Sequence, residues 1–281
     1  MKQRTRLRRV KPARVLPGLA ILALLQGCGT LGSIAPWNGK AEDIKAKADP
    51  ASRTVEELYN NGVDALDQKR YTMAVSQFDA VEQNYPYSSW AVNAQLMHGY
   101  AEYLQNHYTE AIGALDRYIQ LHPASSNASY AYYLRALSFY EQIADIQRDQ
   151  KGTEQAMTAL QDVVNRFPES AYARDSRLKI DLCRDHLAGQ EMEIGRYYEQ
   201  QRLYAAAIGR FQRVIDDYQT TNHVPEALHR LTEIYLLLGL TDQAKRTAAV
   251  LGHNYPGSRW YEDSYAQLAE NGVAPRRAGR G

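Results

Sequence analysis

Cysteine is scarce in this chain of 281 residues, which contains only two. With Cys28 and Cys183 alone, the chain offers neither a disulfide framework nor the grouped cysteines of a zinc site. Its seven histidines show no His-x-x-x-His or Cys/His ligand spacing, and no G-x-S-x-G, P-loop or dinucleotide glycine motif occurs. We therefore predict that the protein is not an enzyme and binds no metal or soluble cofactor.

Long apolar runs are also scarce. The run near the start, residues 15–25, is too short for a membrane span, which needs about 20 residues. Residues 1–14 carry seven basic side chains, and small or polar residues follow the apolar run. This order is typical of a secretory signal peptide. We predict that residues 1–27 are a cleaved signal peptide.

The stretch Leu25-Gln26-Gly27-Cys28 resembles the bacterial lipobox. In signals of that kind, cleavage precedes the cysteine, which then carries lipid on its sulfur and its amine. The resemblance implies a diacylglycerol group and an N-acyl chain such as palmitate on Cys28. Gly29 stands where aspartate usually retains a lipoprotein in the inner membrane, so we expect a lipid anchor in the outer membrane, facing the periplasm. An ordinary signal peptide with an incidental Cys28 is the alternative.

Acidic residues are in excess once the predicted signal peptide is removed. The whole chain has 33 Lys and Arg against 32 Asp and Glu, and residues 1–27 hold seven of the basic groups and no acidic one. The mature chain therefore carries a net charge of about −6. Nucleic acid is not an expected partner, because its binding depends on Lys and Arg. The acyl chains remain as the membrane anchor, and Cys183 is expected to be a buried apolar residue.

The segments next to the repeats are predicted from their composition. Residues 28–53 have no sustained periodicity, so we predict a lipidated N-terminus and a flexible tether. Thr54-x-x-Glu57 has the form of a capping box, which predicts that the first helix begins there. The Gly/Pro/Arg-rich end from Asn271 onward is predicted to be disordered.

An internal repeat governs residues 54–258. Its mark is an alanine followed twelve residues later by proline. The copies are Ala74/Pro86, Ala111/Pro123, Ala156/Pro168 and Ala244/Pro256, and a fifth has Ala207 with Gln219 in place of proline. A small residue, Gly62, Gly99, Gly195 or Thr232, precedes four of these alanines by twelve positions. The pattern resembles the tetratricopeptide repeat, a helix-turn-helix unit.

The resemblance implies an all-α fold, an α-solenoid of five tetratricopeptide-like helix pairs that bury a continuous core. Repeats 1 and 2 occupy residues 54–127, repeat 3 with an insertion near 143–152 occupies 128–170, and a long helix with repeats 4 and 5 occupies 171–258. A helix end and the tail fill 259–281. We expect small residues to let the paired helices approach closely, and Phe78, Leu115, Leu160 and Phe211 to fill the gap between repeats. Gly189 is a possible kink in the long helix.

The first helix of each tetratricopeptide pair lines the concave side of the stack. In the first three repeats the stripe that faces this side is rich in tyrosine. The tyrosines are Tyr59, Tyr100, Tyr103, Tyr130, Tyr133 and Tyr140. With 21 Tyr against 4 Phe in the chain, a half-wet binding wall fits this stripe better than a dry core. We predict a peptide-binding groove there, with Arg135 as an anchor for a carboxylate; packing of the tether on these rings, or an internal partner for Arg135, is the alternative.

Local sequence also resembles the BamD family, the lipoproteins of the outer-membrane β-barrel assembly machine. The resemblance covers about residues 28–258 and is most specific in "NASYAYYLRALSFY" (127–140), in the insertion with Arg148-Asp149, and in "YYEQQRLYAAAIGRF" (197–211). It implies that the N-terminal repeats recognise the C-terminal signal of unfolded barrel proteins. It also implies that the C-terminal repeats bind the barrel-forming insertase subunit, in a complex that contains other assembly lipoproteins.

Arginines of repeat 4 are the predicted partner-binding residues. Arg210 matches the family arginine linked to the insertase contact; its neighbour Arg213 is the alternative, and Arg196 lies on the concave stripe. Gln219 departs from the family pattern, which affects the prediction of the local turn and not that of the stack.

Two other functions fit parts of the pattern. One is a different tetratricopeptide lipoprotein, such as a pilotin of pilus assembly or a coordinator of cell-wall synthesis. The other is a peptidoglycan-cleaving enzyme on a helical solenoid. Such an enzyme needs a compact catalytic domain, and the repeats leave no unassigned length for one.

Overall fold

The computed structural model describes residues 53–273. The predicted signal peptide, Cys28, nearly all of the tether and the end of the tail lie outside the described residues. The described helices are α1 Val55–Asp67, α2 Tyr71–Asn84, α3 Ser89–Leu104, α4 Tyr108–Leu121, α5 Ala128–Tyr140, α6 Lys151–Arg166, α7 Ala171–Gln200, α8 Tyr204–Asp217, α9 Val224–Leu237, α10 Thr241–Asn254 and α11 Arg259–Glu270. Residues 53–273 contain no strand, which confirms the all-α prediction.

The helices pack in chain order, each chiefly against the one before and the one after it. They form five pairs, α1/α2, α3/α4, α5/α6, α7/α8 and α9/α10, and α11 packs on α9 and α10. This arrangement confirms the solenoid of five helix pairs. The predicted helix end after residue 258 is instead a complete helix, α11. Among residues 53–273, no helix combines the length and the apolar composition that a membrane crossing requires.

Helix starts follow the local sequence. Thr54 and Glu57 form the predicted capping box at the start of α1: the Glu57 amide donates to Thr54 Oγ1 at 3.2 Å, and the Thr54 amide donates to the Glu57 carboxylate at 3.0 Å. Ser88, Ser170 and Ser258 cap α3, α7 and α11 through their hydroxyl oxygens.

Small residues allow close contact of the two helices of a repeat. A Cβ added at Gly62 would lie 2.6 Å from the Phe78 ring, and one at Gly195 would lie 2.5 Å from the Phe211 ring. Phe78 and Phe211 are fully buried. These rings therefore fill the space beside a glycine of their own repeat. Both also belong to buried clusters that extend into the following repeat, and the filling of the gap between repeats stays a prediction.

The turn near Gln219 keeps the geometry of the other repeats. The residue after α8, Tyr218, has φ −126° and ψ 42°, while the residues after α2 and α10, Tyr85 and Tyr255, have φ near −135° and ψ near 50°. Proline is thus not needed to end this helix, because the cap residue already leaves helical geometry. The departure at Gln219 has no effect on the turn.

Helix α7 is one continuous helix of 30 residues through Gly189. Gly189 does not interrupt the helix, and the predicted kink stays a prediction. The insertion between α5 and α6 supports the middle of α7: His186 Nε2 lies 2.9 Å from the Ala144 carbonyl oxygen, and Gln190 Nε2 donates to that of Arg148 at 3.1 Å. Gly189 leaves room for Ile146 and His223.

Candidate functional site

Five tyrosines lie on the first helices of repeats 2 to 4, and the rings of four of them are in contact. This tyrosine stripe consists of Tyr100, Tyr103, Tyr130, Tyr133 and Tyr172. The Tyr130 ring lies 6.4 Å from that of Tyr100 and 5.6 Å from that of Tyr172, which stacks on Tyr133 at 5.0 Å. All five residues are half-buried. They therefore offer ring surface to solvent while their helices fix their positions.

The stripe contains one residue that the sequence did not indicate, Tyr172. It lies in the first turn of α7, ahead of the repeat-4 consensus, so repeat spacing did not select it. Its stacking on two rings of α5 places the start of the long helix beside repeat 3. A search for aromatic residues following the Ser170 cap would have found it.

The hydroxyls of the stripe divide into two sets. The Tyr133 hydroxyl donates to Asp175 Oδ2 at 2.5 Å, and that of Tyr103 donates to Glu141 Oε1 at 3.4 Å. Within residues 53–273, the hydroxyls of Tyr100 and Tyr130 have no hydrogen-bond partner. Two phenols are therefore free to bond a ligand.

Burial raises the pKa of three phenols of the stripe, those of Tyr103, Tyr130 and Tyr133. Desolvation raises the pKa of Tyr130 to about 12, and desolvation together with Glu141 raises the pKa of Tyr103 to about 12. Burial and the bond to Asp175 also raise the pKa of Tyr133. The stripe presents hydrogen-bond donors and uncharged rings at any physiological pH.

Two predicted groove tyrosines lie outside this connected set. Tyr59 packs on Phe78 and Trp90 in repeat 1, with ring distances of 5.7 and 4.9 Å. Tyr140 carries the Lys179 ammonium 5.1 Å above its ring. Ring contacts thus join Tyr100, Tyr130 and Tyr133 through Tyr172, and Tyr103 packs on the same buried cluster as Tyr100 and Tyr130. Tyr59 and Tyr140 have other neighbours.

Arg135 already has a carboxylate partner. Its Nε lies 2.6 Å from Asp116 Oδ1 of α4, and its guanidinium lies 5.7 Å from the Phe139 ring centre. The partner is internal, which is the alternative that the sequence left open. To bind a ligand carboxylate, Arg135 would have to exchange Asp116.

Arg210 and Arg213 of α8 converge on one buried carboxylate, Glu191. Arg210 Nη1 lies 3.0 Å from Glu191 Oε2, and Arg213 Nη1 lies 2.9 Å from Oε1. The Glu191 side chain is 9% exposed, while those of Arg210 and Arg213 are 34% and 55% exposed. The acid therefore anchors two guanidinium groups whose other faces reach solvent. Beside them is an open depression of about 580 Å³ that also exposes Ala205 and Gly209.

Arg196 belongs to a different group. Its guanidinium contacts Glu193 at 2.5 Å and Glu226 of repeat 5 at 2.9 Å. Arg230 joins the same group through Glu226 and Glu233, at 3.5 and 3.1 Å. The three predicted partner-binding arginines are thus divided between two ion-pair groups, and Arg196 links repeats 4 and 5.

Glu191 is a functional candidate that sequence reasoning missed. The available signal was its position in the apolar stripe of α7, between Leu187, Met192 and Gly195, all buried. A carboxylate in such a stripe is unusual unless it is paired.

One group of possible metal ligands, Asp79, Glu82 and His98, lies within the described residues. Histidine spacing along the sequence did not indicate it, because two of the three ligands are carboxylates of another helix. These three residues are therefore a candidate exception to the prediction that the chain binds no metal.

Comparison with known proteins identifies the family. The family model of the outer membrane lipoprotein YfiO matches residues 51–251. The outer membrane protein assembly factor BamD of Caulobacter vibrioides is 48% identical over 265 residues, 94% of this chain and 83% of that protein. BamD of Rickettsia prowazekii is 47% identical over 76% of this chain and 85% of its own. A tetratricopeptide-repeat protein of Thermus thermophilus covers 78% of this chain and 100% of its own, at 18% identity and a TM-score of 0.36. The chain belongs to the YfiO family of outer membrane lipoproteins, whose relatives include the BamD assembly factors.

Proposed function

We propose that this protein is a non-enzymatic scaffold of the outer-membrane β-barrel assembly complex. It binds unfolded outer-membrane proteins on the tyrosine stripe and the barrel-forming insertase subunit on repeat 4. The observation that carries the proposal is the 48% identity to a BamD assembly factor over 94% of the chain. The lipid on Cys28 anchors the protein to the outer membrane, facing the periplasm, beside other assembly lipoproteins.

The stripe has the chemistry for an extended peptide with an aromatic end. Stacked half-buried rings offer apolar contact, and the free hydroxyls of Tyr100 and Tyr130 are donors for the carbonyl oxygens of an unfolded chain. Because the ring contacts fix these side chains in advance, little rotamer entropy is lost on binding. These features support capture of a substrate segment that has not yet formed strands.

Peptide binding tests this surface. A fluorescent peptide from the C-terminal segment of an outer-membrane barrel protein is titrated into the full-length chain in detergent. We expect Tyr100→Ala and Tyr133→Ala each to weaken binding by about fivefold or more, as truncation of an aromatic contact does. Tyr87→Ala is the matched control, because Tyr87 is fully exposed and outside the stripe. Unchanged affinity in both stripe variants would contradict the peptide-binding role.

The arginine pair of α8 supports the insertase contact. Glu191 balances one of the two guanidinium charges, and Asp217 lies 3.6 Å from Arg213, so Arg210 is the better placed to take an acidic group of a partner. The small residues Ala205 and Gly209 let a partner backbone approach the helix.

Affinity purification from membranes tests this contact. We expect Arg210→Ala to lower the amount of insertase subunit recovered, and Glu191→Gln to lower it less, because both arginines remain but lose their common anchor. Arg184→Ala, on an arginine of α7 that pairs only with Asp181, is the control. Equal recovery of the insertase with Arg210→Ala and with the control would rule out Arg210 as the contact.

A further inference from the structure

A histidine and two carboxylates meet where repeat 1 joins repeat 2. Asp79 and Glu82 belong to α2, and His98 belongs to α3. Asp79 Oδ1 lies 2.8 Å from His98 Nδ1, and Glu82 Oε1 lies 3.4 Å from the same nitrogen. One oxygen or nitrogen of each residue lies within 4.8 Å of the other two. Three ligand atoms of the types that zinc prefers thus face one point.

Two of these atoms are buried without a hydrogen bond. Within residues 53–273, Glu82 Oε1 and His98 Nδ1 are inaccessible to solvent and have no hydrogen-bond partner. Asp79 and Glu82 lie at ion-pair distance from Nδ1, so these atoms are balanced only while His98 carries a proton or a cation takes its place. Buried polar atoms are nearly always satisfied, and leaving one unsatisfied is destabilising. A cation between the three residues would satisfy both atoms at once.

The spacing suits a small cation. Ligands about 2.1 Å from a tetrahedral Zn²⁺ lie about 3.4 Å apart. Glu82 Oε1 and His98 Nδ1 are 3.4 Å apart, which equals this value. Asp79 Oδ1 and His98 Nδ1 are 2.8 Å apart, and a small side-chain rotation would bring them to it. Asp79 is 42% exposed, so the group borders solvent on the Asp79 side.

The outer contacts also fit a metal-binding histidine. The second ring nitrogen of His98 lies 3.8 Å from Glu102, whose other oxygen lies 2.9 Å from His107 Nδ1. In zinc sites a carboxylate hydrogen-bonded to the second nitrogen of a ligating imidazole fixes the ring and its tautomer, and Glu102 would take this role by closing the 3.8 Å separation. Among the described residues, Arg117 is the fixed cation beside this group, 3.9 Å from Glu82. Once His98 is neutral, as a metal ligand must be, three carboxylates against one arginine leave two negative charges, which a divalent ion neutralises.

We propose that Asp79, Glu82 and His98 bind one Zn²⁺, with water as the fourth ligand. The ion would join the second helix of repeat 1 to the first helix of repeat 2. It would therefore fix the relative position of the first two helix pairs, a role separate from both binding surfaces described above.

A proton competes with the ion for His98. Burial opposes a charged imidazole, but the contacts with Asp79 and Glu82 outweigh it and raise the pKa of His98 to about 9. Zinc must displace this proton, so binding is expected to weaken as the pH falls.

Calorimetric titration of Zn²⁺ into the full-length chain tests the site. The protein is purified in detergent without a polyhistidine tag and stripped of metal by a chelator. We expect one ion per chain. Glu102→Gln changes a residue outside the ligand set and is expected to weaken Zn²⁺ binding roughly 10- to 100-fold. Glu82→Gln and His98→Gln remove ligands themselves, so each is expected to weaken binding at least as much. His253→Gln, on an exposed histidine, is the control and should bind as the unchanged protein does.

Folding is checked separately. Circular dichroism in chelator should give each variant the helical signal of the unchanged protein, and Zn²⁺ should raise the unfolding temperature of the unchanged protein and of His253→Gln only. A Co²⁺-loaded protein should show visible absorption that His98→Gln lacks. Absence of 1:1 binding at about 100 µM Zn²⁺, or equal binding by His98→Gln and the control, would overturn the proposal.

Discussion

Glycine sets the distance between the two helices of a repeat, and the packing of Gly62 illustrates this. The edge of the buried Phe78 ring occupies the space where a side chain of residue 62 would lie. The same relation recurs between Gly99 and Leu115 and between Gly195 and Phe211. A residue usually considered for its backbone freedom acts here through its small volume.

Gly62→Ala is therefore expected to destabilise the protein. The new methyl would lie 2.6 Å from Phe78, and overpacking of this kind costs about 1–3 kcal/mol, which exceeds the gain of about 1 kcal/mol in helix propensity. Gly113→Ala in α4 is the control and is expected to stabilise the protein, because the added methyl meets no neighbouring atom within 4 Å. Urea unfolding followed by circular dichroism measures both. A stabilised Gly62→Ala would show that Phe78 can move aside.

Residues whose type is dictated by packing were predictable from the sequence, and residues defined by a distant partner were not. The positions of Gly62 and Ala74 recur at fixed spacing because the paired helices of a repeat approach closely there. Glu191 has no such recurrence, since its role depends on Arg210 and Arg213 of the following helix. Arg135 was assigned to the groove from its helix alone, while its partner Asp116 lies on another.

At the level of secondary-structure elements, four of the helix pairs share one turn. Lys69, Asn106, Arg202 and Gly239 occupy the turns of repeats 1, 2, 4 and 5, and all four have φ between 57° and 72°. In repeat 3 the insertion replaces this turn. Glycine and asparagine adopt the left-handed region readily, whereas lysine and arginine do so at an energetic cost.

Lys69→Gly is expected to stabilise the protein by about 1 kcal/mol, because φ is 57° at this position and glycine has no Cβ to clash. Lys69→Ala removes the same charge but keeps the Cβ, so it separates the backbone effect from the side-chain effect and should change stability little. Thermal unfolding at low protein concentration measures the difference. If both variants behaved alike, backbone strain at Lys69 would not contribute to stability.

The ends of helices were largely predictable where a polar side chain caps the helix. They were less predictable where packing against distant residues determines the extent of the helix. Thr54 and Glu57 marked the start of α1 correctly because both bonds are local. Gly189 suggested an interruption, but α7 is continuous there, with His223 and Ile146 of the insertion as its neighbours. The extent of α11 was missed because it does not carry the repeat's own motif.

Across residues 53–273, the core is a series of clusters along the stack. One lies in repeat 1 and the start of repeat 2, two follow through repeat 3, and one joins repeats 4 and 5 with α11. Each cluster contacts its neighbours in the stack, as in other solenoids, so stability is distributed along the chain rather than held at one centre.

Leu268→Ala tests this view. Leu268 of α11 is 1% exposed within the last cluster, and its truncation is expected to cost about 2–4 kcal/mol. Amide hydrogen exchange should rise in α9 to α11 and stay unchanged in α1 to α4, because the loss is local. Leu178→Ala, on a residue 64% exposed, is the control and should change exchange nowhere. Uniform loss of protection would indicate a single cooperative core.

The unbroken α7 also limits how the protein can move. At 1.5 Å per residue its 30 residues form a rod about 45 Å long, with Tyr172 near one end and Glu191 about 28 Å away. A continuous hydrogen-bonded helix resists a change in that spacing. A partner seated at Glu191 is therefore expected to shift the rings around Tyr172 chiefly by carrying the whole helix with it, as a lever does.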